Sequence, residues 1–398
     1  MLAVLETHPI QYRAPVYREL QQRFNIPVTV IYGSDFSVAG YRDMEFGTTF
    51  AWDSDLLSGY TSCFLSRVAQ GGACSAQAAT TRGLSRALQK IAPTAIMVVG
   101  YSPRFHQRAI FHAWQHGSPV IFRGETTERA RAQSPVRMWA RRRALRWVYR
   151  SCAKLLYVGQ ASYQHFRRLG CDDEKLIFSP YCVDTTPFQC DEVDRQRLRP
   201  HARTRLGLTK AQKVILFSGK LYQGKGPHLL IRAIKALPTK SRESISVLIM
   251  GSGEMQETLE DLARCSPQVH IRFLGFQNQT QLSQYYHASD LLALPSLSET
   301  WGLVVNEALH HGLPCIVSDA VGCARDLVDP GLTGDVFENG SIHSLASALE
   351  RGLALAGRPE IRAACREKMS GFTVARAAQG IARAYWNVVG ERPGVPLT

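Results

Sequence analysis

The sequence predicts an α/β protein built on doubly wound parallel sheets, and three observations support this fold class. Short apolar runs recur along the chain, and each ends in glycine or in polar residues, as buried parallel strands do. Longer segments with helical spacing of apolar residues separate these runs. A polar, charged stretch that contains Pro187 and Pro200 divides them into two series.

These two series predict two domains and a connection. We expect the first domain to cover residues 1–183, the linker 184–210 and the second domain 211–371. A final helical pattern occupies 372–398, and the sequence leaves open whether it crosses back to the first domain. The 398 residues are 45% hydrophobic and 20% charged, a composition typical of globular proteins.

In the first series, polar residues follow the predicted strands. The predicted strands lie at residues 2–6, 27–32, 95–99, 119–122 and 154–158. Ligands of open α/β sheets bind at the carboxyl ends of strands, which makes five residues there candidate ligand contacts: His8, Gln11, Tyr101, Arg123 and Glu125. For His8 the alternative is a structural histidine, and for Arg123 and Glu125 it is a salt bridge between them.

The net charge of +14 is concentrated in the first half, which indicates an anionic partner. Residues 129–150 contain eight arginines, no acidic residue, and interleaved aromatic and apolar residues. This pattern is typical of a helix on an anionic membrane, and equally of a solvated basic face over a partly buried helix. Nucleic acid is a third interpretation, and we expect no nucleic-acid partner.

The ten cysteines are scattered and form no C-x-x-C pair, which predicts reduced thiols in a cytoplasmic protein and no zinc site. No run approaches the ~20 apolar residues of a membrane span. The first six residues include an acid and no basic residue, so we interpret them as a strand and not as a signal peptide. Asp53-Ser-Asp55 matches a short metal-binding pattern, which we interpret as a loop because no clear strand precedes it.

The segment from Leu291 to Asp319 predicts a strand, a polar loop, a helix over 301–311 and a second strand. The helix start offers the unpaired amides of Gly302, Leu303 and Val304, where an anion such as a diphosphate is stabilised.

Two glutamates flank this predicted anion site. Glu307 lies about 7–8 Å further along the helix, where its carboxylate suits ribose hydroxyls. Glu299 lies on the preceding loop, where it can accept hydrogen bonds from a sugar. The alternative is a pair of solvated glutamates on a surface helix, because E-x7-E is a loose pattern.

A glycine-rich loop follows the predicted strand at 214–217. It carries Lys220 and Lys225, two cations able to neutralise a diphosphate. The Walker pattern is absent, and the alternative is a solvated turn.

The second half carries an ordered set of motifs: Gly219-Lys-Leu with Lys225-Gly226, Met250-Gly-Ser-Gly-Glu254, Phe273-Leu-Gly-Phe276, Pro295-Ser296, Glu299-Thr-Trp-Gly-Leu with Glu307-Ala308, Gly312-Leu-Pro314 and Gly331-Leu-Thr-Gly334. With residues 174–184, this set covers roughly residues 155–340 and resembles the retaining GT-B glycosyltransferases of family 4, the glycosyl transferases group 1.

The resemblance implies two facing Rossmann-like domains, with the acceptor in the first and a nucleotide-diphosphate sugar in the second. It implies that Glu307 holds the ribose, that Glu299 holds the transferred sugar, and that Lys225 and Lys220 hold the diphosphate. The family more often has arginine at the position of Lys220. The loop at Gly219 and the backbone near Gly253 and Phe276 would contact the donor.

The resemblance also implies hexosyl transfer with retention of anomeric configuration and without a metal or other cofactor. The acceptor would be a carbohydrate or a lipid-linked precursor in polysaccharide biosynthesis, and the enzyme cytoplasmic or peripheral on the inner membrane face. Two rival functions stay open. One is a nucleotide-sugar 2-epimerase, and the other is a non-catalytic scaffold that binds anionic membrane or nucleic acid.

Overall fold

A computed structural model of the chain describes residues 1–43, 48–50, 53–124 and 135–390. The chain divides into two units. The first comprises Met1–Tyr41, Phe50–Asp184 and Phe372–Thr398, and the second comprises Arg42–Thr49 and Thr185–Gly371.

The first unit contains a seven-stranded parallel sheet. In chain order the strands up to residue 178 are β1 (Leu2–Glu6), β2 (Val28–Tyr32), β3 (Tyr41–Asp43), β4 (Thr48–Phe50), β5 (Thr61–Phe64), β6 (Ala95–Val99), β7 (Val120–Gly124), β8 (Lys154–Tyr157) and β9 (Leu176–Phe178). The sheet order is β5-β2-β1-β6-β7-β8-β9, while β3 and β4 form a separate pair. The helices here are α1 (Ala14–Gln22), α2 (Phe36–Ala39), α3 (Leu84–Ile91), α4 (Arg104–Gln115), α5 (Pro135–Ser151) and α6 (Gln160–Arg168).

The second unit contains a six-stranded parallel sheet. Its strands are β10 (Lys213–Ser218), β11 (Ile245–Met250), β12 (His270–Gly275), β13 (Leu291–Leu294), β14 (Cys315–Ser318) and β15 (Gly334–Phe337), in the order β12-β11-β10-β13-β14-β15. Its helices are α7 (Glu192–Arg205), α8 (Pro227–Ala236), α9 (Thr239–Glu243), α10 (Gln256–Arg264), α11 (Leu282–Ala288), α12 (Leu303–His310), α13 (Ala324–Leu327), α14 (Ile342–Leu355) and α15 (Pro359–Lys368). The last helix, α16 (Val374–Val389), belongs to the first unit.

Strand β1 shows how the first sheet is buried on both faces. Leu2 and Val4 pack in one hydrophobic cluster with α1 and α16, while Ala3 and Leu5 pack in another with α3 and α4. Successive strand residues point to opposite faces, so a continuous apolar run lies between two helical layers. The predicted fold class of two Rossmann-like doubly wound parallel sheets is confirmed.

Most predicted strands appear within two residues of their predicted ends. The strand predicted at 119–122 extends to Gly124, and the helix after β1 is Ala14–Gln22, with Pro15 in its first turn. The sequence did not predict β5, because Thr61-Ser-Cys-Phe64 is too polar and too short to form an apolar run.

The predicted linker 184–210 differs most from the structure, because most of it is the helix α7, packed against α11 in the second unit. Its arginines have partners: Arg199 and Arg203 donate to Asp290 and to carbonyl groups at the end of α11. Cations are stabilised at a helix C-terminus, which explains why a charged segment is ordered here. Pro200 lies inside this helix, so its presence misled the sequence interpretation.

A search of the described helices found none with the length and apolarity that crossing a bilayer requires.

Candidate functional site

Backbone hydrogen bonds join three neighbouring strand ends in the second unit. The amide of Gly219 donates to the carbonyl of Met250 (3.0 Å), and the amide of Gly251 donates to that of Gly275 (2.9 Å). A Cβ atom at Gly251 would lie 1.9 Å from the Gly219 oxygen, and one at Gly253 would lie 2.6 Å from the Leu221 oxygen. A side chain at either position would collide with that oxygen, so only glycine allows this close backbone approach. Both residues also have positive φ angles, of 135° and 154°, which favour glycine.

The glycine-rich loop after β10 also packs against the loop after β13. The amide of Leu297 donates to the carbonyl of Gly224 (2.8 Å). Gly226 has φ +66°, and a Cβ atom there would lie 2.2 Å from the oxygen of Pro295. The contact fixes the position of Lys225 relative to the loop that carries Glu299.

Lys225 and Glu299 form a hydrogen-bonded ion pair, in which Nζ donates to Oε2. The two side chains are 19% and 15% exposed, so the pair is accessible from solvent without being freely solvated. Backbone bonds hold Glu299, because its carbonyl accepts from the amide of Gly322 at 3.0 Å. The structure therefore brings these two predicted residues together.

The start of α12 lies beside this pair. Gly302 is the N-cap residue in the left-handed region (φ +99°), and a Cβ atom at this residue would lie 3.5 Å from Glu299 Cγ. Within the described part of the chain, the amides of Gly302, Leu303 and Val304 have no hydrogen-bond partner. The helix begins at Leu303, two residues later than predicted, because the left-handed backbone of Gly302 cannot be part of an α-helix. The indole of Trp301 donates to the side chain of Asn306 (2.8 Å).

Glu307 is buried, with only 2% of the residue exposed. The hydroxyl group of Tyr286 donates to its Oε2 at 2.6 Å. The ring of Tyr286 in turn stacks on that of His311, with centroids 4.8 Å apart. Glu307 is thus held in a fixed orientation by neighbours, and is not a solvated glutamate on a surface helix.

His311 belongs to the same buried group. Its Nδ1 lies 2.7 Å from the carbonyl oxygen of Glu307, and its Nε2 lies 2.9 Å from the hydroxyl oxygen of Ser283. Burial lowers the pKa of His311 to about 3, so the ring is neutral at neutral pH. Sequence reasoning missed Tyr286 and His311, because their spacing from Glu307 carried no signal that could have identified them.

Lys220 and Phe276 complete the set that sequence reasoning proposed for this unit. Lys220 follows β10 and Phe276 follows β12, so both lie at the carboxyl edge of the same parallel sheet as Lys225. Two lysines and a helix N-terminus at one sheet edge make a positive site that suits a diphosphate.

In the first unit, the predicted residues after β1 are well packed. The Nδ1 atom of His8 lies 2.9 Å from the hydroxyl oxygen of Thr7, and its ring packs on Phe36 at a centroid distance of 4.4 Å. Burial, with a smaller contribution from Arg13, lowers the pKa of His8 to about 4. Gln11 is buried.

Arg123 and Tyr101 also have partners in the first unit. Arg123 is 4% exposed, donates to the carbonyl of Pro180 (3.1 Å), and lies over the ring of Tyr181. The hydroxyl group of Tyr101 accepts from Arg141 (2.7 Å). Glu125 lies outside the described residues, so the predicted alternative of an Arg123–Glu125 pair stays a prediction.

Sequence reasoning missed one buried charge at this edge. Glu6, the last residue of β1, is 1% exposed and accepts from Arg13 (2.7 Å) and from the hydroxyl group of Tyr17. Burial, with the nearby Glu6 carboxylate, raises the pKa of Tyr17 well above its usual value. An acidic residue that ends an otherwise apolar strand was the available signal.

The loop interpretation of Asp53-Ser-Asp55 is confirmed. One carboxylate oxygen of Asp55 accepts from the amides of Leu57 and Ser58, both at 3.1 Å, and the other accepts from the Ser58 hydroxyl group. These bonds lower the pKa of Asp55 and close a turn.

The second unit is similar to a known protein family. Residues 199–369 match the family model described as glycosyl transferases group 1. The chain is similar to the D-inositol 3-phosphate glycosyltransferases of Mycobacterium marinum (30% identical over 237 residues) and Nocardia farcinica (30% over 240). These alignments cover 55% and 57% of this chain, and the chain spans about half the length of these curated relatives, 49% and 51%.

Solved structures are similar over nearly the whole chain. The structure of Anabaena Alr3699/HepE in complex with UDP aligns with TM-score 0.70 and 17% identity, covering 97% of this chain and 99% of that one. Sucrose-phosphate synthase from Thermosynechococcus elongatus aligns with TM-score 0.71 and 16% identity, covering 98% and 99%. These likenesses show the GT-B fold of two Rossmann-like domains.

Proposed function

We propose that this chain, whose residues 199–369 carry the glycosyl transferases group 1 domain, is a retaining hexosyltransferase that uses a nucleotide-diphosphate sugar. One observation carries the proposal. The Lys225–Glu299 pair lies next to a helix start whose amides have no partner among the described residues. At one sheet edge, a cation and unpaired amides suit a diphosphate, and the neighbouring carboxylate suits the hydroxyl groups of the attached sugar.

The diphosphate would lie between Lys220, Lys225 and the amides of Gly302, Leu303 and Val304. Gly219 supports this placement, because a Cβ atom there would lie 3.9 Å from Lys225 Cδ with nothing nearer, so a glycine leaves space for a ligand beside the lysine. Gly253 would contact the donor through its backbone. Phe276 at the neighbouring strand end would contact the base. The solved structures of Anabaena Alr3699/HepE with UDP and with UDP-glucose make uridine nucleotides the first donors to test.

The two glutamates would hold the two ends of the donor. Glu299 accepts from the Lys225 ammonium group, and on donor binding this bond would be exchanged for sugar hydroxyls as the lysine turns to the phosphate. Glu307 would accept from the ribose. The hydroxyl group of Tyr286, which donates to Oε2, would orient the carboxylate for this contact.

The reaction breaks the bond between the anomeric carbon and the phosphate oxygen, and the electron pair leaves with the diphosphate. The acceptor oxygen attacks the same face of the sugar, and its proton passes to the departing phosphate oxygen. Lys220, Lys225 and the helix amides stabilise the charge that develops, which is usually the dominant contribution to catalysis. We propose that these groups make a metal or other cofactor unnecessary.

The acceptor is proposed to be a carbohydrate or lipid-linked precursor in polysaccharide biosynthesis, in contact with His8, Gln11 and Tyr101. Arg123 and Glu125 remain proposed acceptor-side residues. All ten cysteines are free thiols, which fits a cytoplasmic enzyme. The arginines of α5 fit peripheral contact with an anionic membrane at its inner face. We propose no nucleic-acid partner.

A thermal-shift series tests donor binding first. UDP, GDP, ADP and their hexose derivatives are added separately, and one nucleotide class is expected to raise the melting temperature by mass action. Transfer is then assayed with the best donor. Glu299→Ala and Lys225→Ala are expected to abolish transfer while retaining the wild-type circular dichroism spectrum. Full activity in either variant would refute its assignment to the donor site. Formation of an epimerised nucleotide sugar without any acceptor would show that the enzyme is an epimerase and not a transferase.

A further inference from the structure

A groove of about 680 Å³ lies between α4 and α5 in the first unit. The aromatic side chains of Phe111, Trp114 and Trp147 line it, and the two tryptophan rings meet edge to face at 4.4 Å. Its volume is within the range of about 300–1,000 Å³ that is usual for ligand pockets. It is therefore large enough for part of a lipid-sized molecule.

The helices around this groove carry most of the exposed apolar surface. Seven large hydrophobic side chains are exposed among the described residues, and five of them lie on α4 or α5: Phe111, Val136, Met138, Trp139 and Trp147. Trp139 and Trp147 are 63% and 62% exposed. A concentration of exposed apolar side chains on two neighbouring helices is typical of a surface that another molecule covers, and tryptophan is typical of membrane interfaces.

The charge at the groove is positive. The two helices contain eight arginines and no acidic residue. Arg104, Arg108 and Arg141 line the groove, and none of them forms an ion pair with a described residue. Arg104 begins α4 and Trp114 lies ten residues further on, about 15 Å along the helix axis. A cationic end and an aromatic end are thus separated along one groove.

We infer that the α4–α5 groove binds a phosphate-bearing membrane lipid. Its phosphate would lie against Arg104, Arg108 and Arg141, and its hydrocarbon chain along Phe111, Trp114 and Trp147. Tyr101 also lines the groove and follows β6, so the lipid phosphate would lie near the carboxyl edge of the first sheet. The inference rests on the membrane contact of the proposed function and is independent of the donor site.

Titration calorimetry on the full chain tests it, with dihexanoyl phosphatidate as the probe below its micelle concentration. Saturable binding is expected, with much weaker binding of dihexanoyl phosphatidylcholine, which has the same chains and no net charge. Arg108→Gln and Arg141→Gln should each weaken binding about fivefold. Arg143→Gln is the matched control, since Arg143 is exposed on the same helix, stacks on Trp139 and does not line the groove.

A variant that fills the groove distinguishes binding of the lipid's hydrocarbon chain inside it from nonspecific electrostatic attraction to the arginines. Ala144 lines the groove and is exposed, so Ala144→Phe should abolish phosphatidate binding without disturbing the core. Unchanged binding in Ala144→Phe, equal losses in Arg143→Gln and Arg141→Gln, or no saturable binding would each overturn the inference. Stronger binding of a short single-stranded oligonucleotide than of phosphatidate would also overturn it, in favour of nucleic acid.

The nucleotide-induced thermal shift distinguishes a failure of the lipid-binding proposal from a failure of the donor proposal. The shift given by the best nucleotide should be the same in Ala144→Phe and in wild type, which shows that the fold and the second unit are intact. Phosphatidate binding without any nucleotide shift would refute the donor proposal alone. A nucleotide shift without phosphatidate binding would refute the lipid site alone.

Discussion

The carboxyl edges of the two parallel sheets hold their charged residues in different ways. In the second unit, glycine turns bring Lys225 and Glu299 together at a partly exposed position. In the first unit, Glu6 and Arg123 are almost completely buried and bonded to their own neighbours. Polar residues at the carboxyl ends of buried strands therefore have two different roles. Partial exposure of the side chains and close approach of the backbones mark the candidate ligand site, whereas full burial with protein partners marks a structural role.

The largest expected effect comes from the glycine turns. Gly251→Ala places a Cβ atom 1.9 Å from the Gly219 oxygen, so we expect the free energy of unfolding to fall by about 2–6 kcal/mol. Gly331→Ala is the matched control, because Gly331 also has a left-handed φ (+80°) but no atom lies within 4 Å of the new Cβ. This variant should lower the free energy of unfolding by about 1–2 kcal/mol. Urea unfolding measures both, and equal losses would contradict the importance of close backbone approach.

The exposed ion pair should affect turnover and not stability. Lys225→Ala is expected to lower kcat by at least about 10²–10³-fold, to the limit of detection, because a preorganised cation at the leaving group is lost. The pair is partly exposed, so unfolding in urea should change little. Lys240→Ala, at an exposed position on α9, is the control and should retain wild-type kcat. Steady-state kinetics that showed no difference between the two variants would remove Lys225 from the site.

The buried arginine of the first sheet should show the opposite pattern. Arg123→Ala leaves the Pro180 carbonyl without its donor and is expected to lower the free energy of unfolding by about 1–3 kcal/mol. Nucleotide binding should be unaffected. Arg86→Ala, at an exposed position on α3, provides the control. A stable Arg123→Ala protein that has lost only transfer would assign Arg123 to the acceptor, as the sequence proposed.

Tyr286 tests whether a buried residue can support the donor site. Tyr286→Phe removes the hydroxyl group that donates to Glu307, so we expect a loss of about 1–2 kcal/mol in stability and weaker nucleotide binding. Tyr285→Phe is the control, because that hydroxyl group donates to the side chain of Gln277 at 3.3 Å and not to Glu307. Nucleotide affinity that is equal in both variants would leave Glu307 without a role in the site.

The smallest effect concerns pH. Burial lowers the pKa of His311 from 6.5 to about 3, so below pH 6.5 the unfolded chain binds a proton that the folded chain does not. Stability is therefore lost as pH falls from about 7 towards 3, by about 1 kcal/mol for this histidine between pH 6.5 and 5.5. His311→Gln should reduce that slope in urea unfolding series at several pH values. An unchanged slope would mean that His311 is protonated in the folded protein.

The sequence by itself predicted the apolar strands of both sheets and the residues of the candidate donor site. Apolar runs marked β1, β6 and β10, because parallel strands are buried on both faces and must be continuously apolar. The polar loop before α12 and the glycine-rich loop after β10 were also predicted, and the structure gives several of these glycines the positive φ angles that favour glycine.

Only the tertiary structure decided which charges are open to a ligand. The arginines of α7 suggested a solvated linker until Asp290 and the α11 carbonyls were seen to bind them. Tyr286 could not be connected to Glu307 from spacing, because the two partners of that hydrogen bond are 21 positions apart in the chain. Local backbone rules can be read along the chain, whereas burial and side-chain pairing depend on contacts between distant segments, and those exist only once the chain has folded.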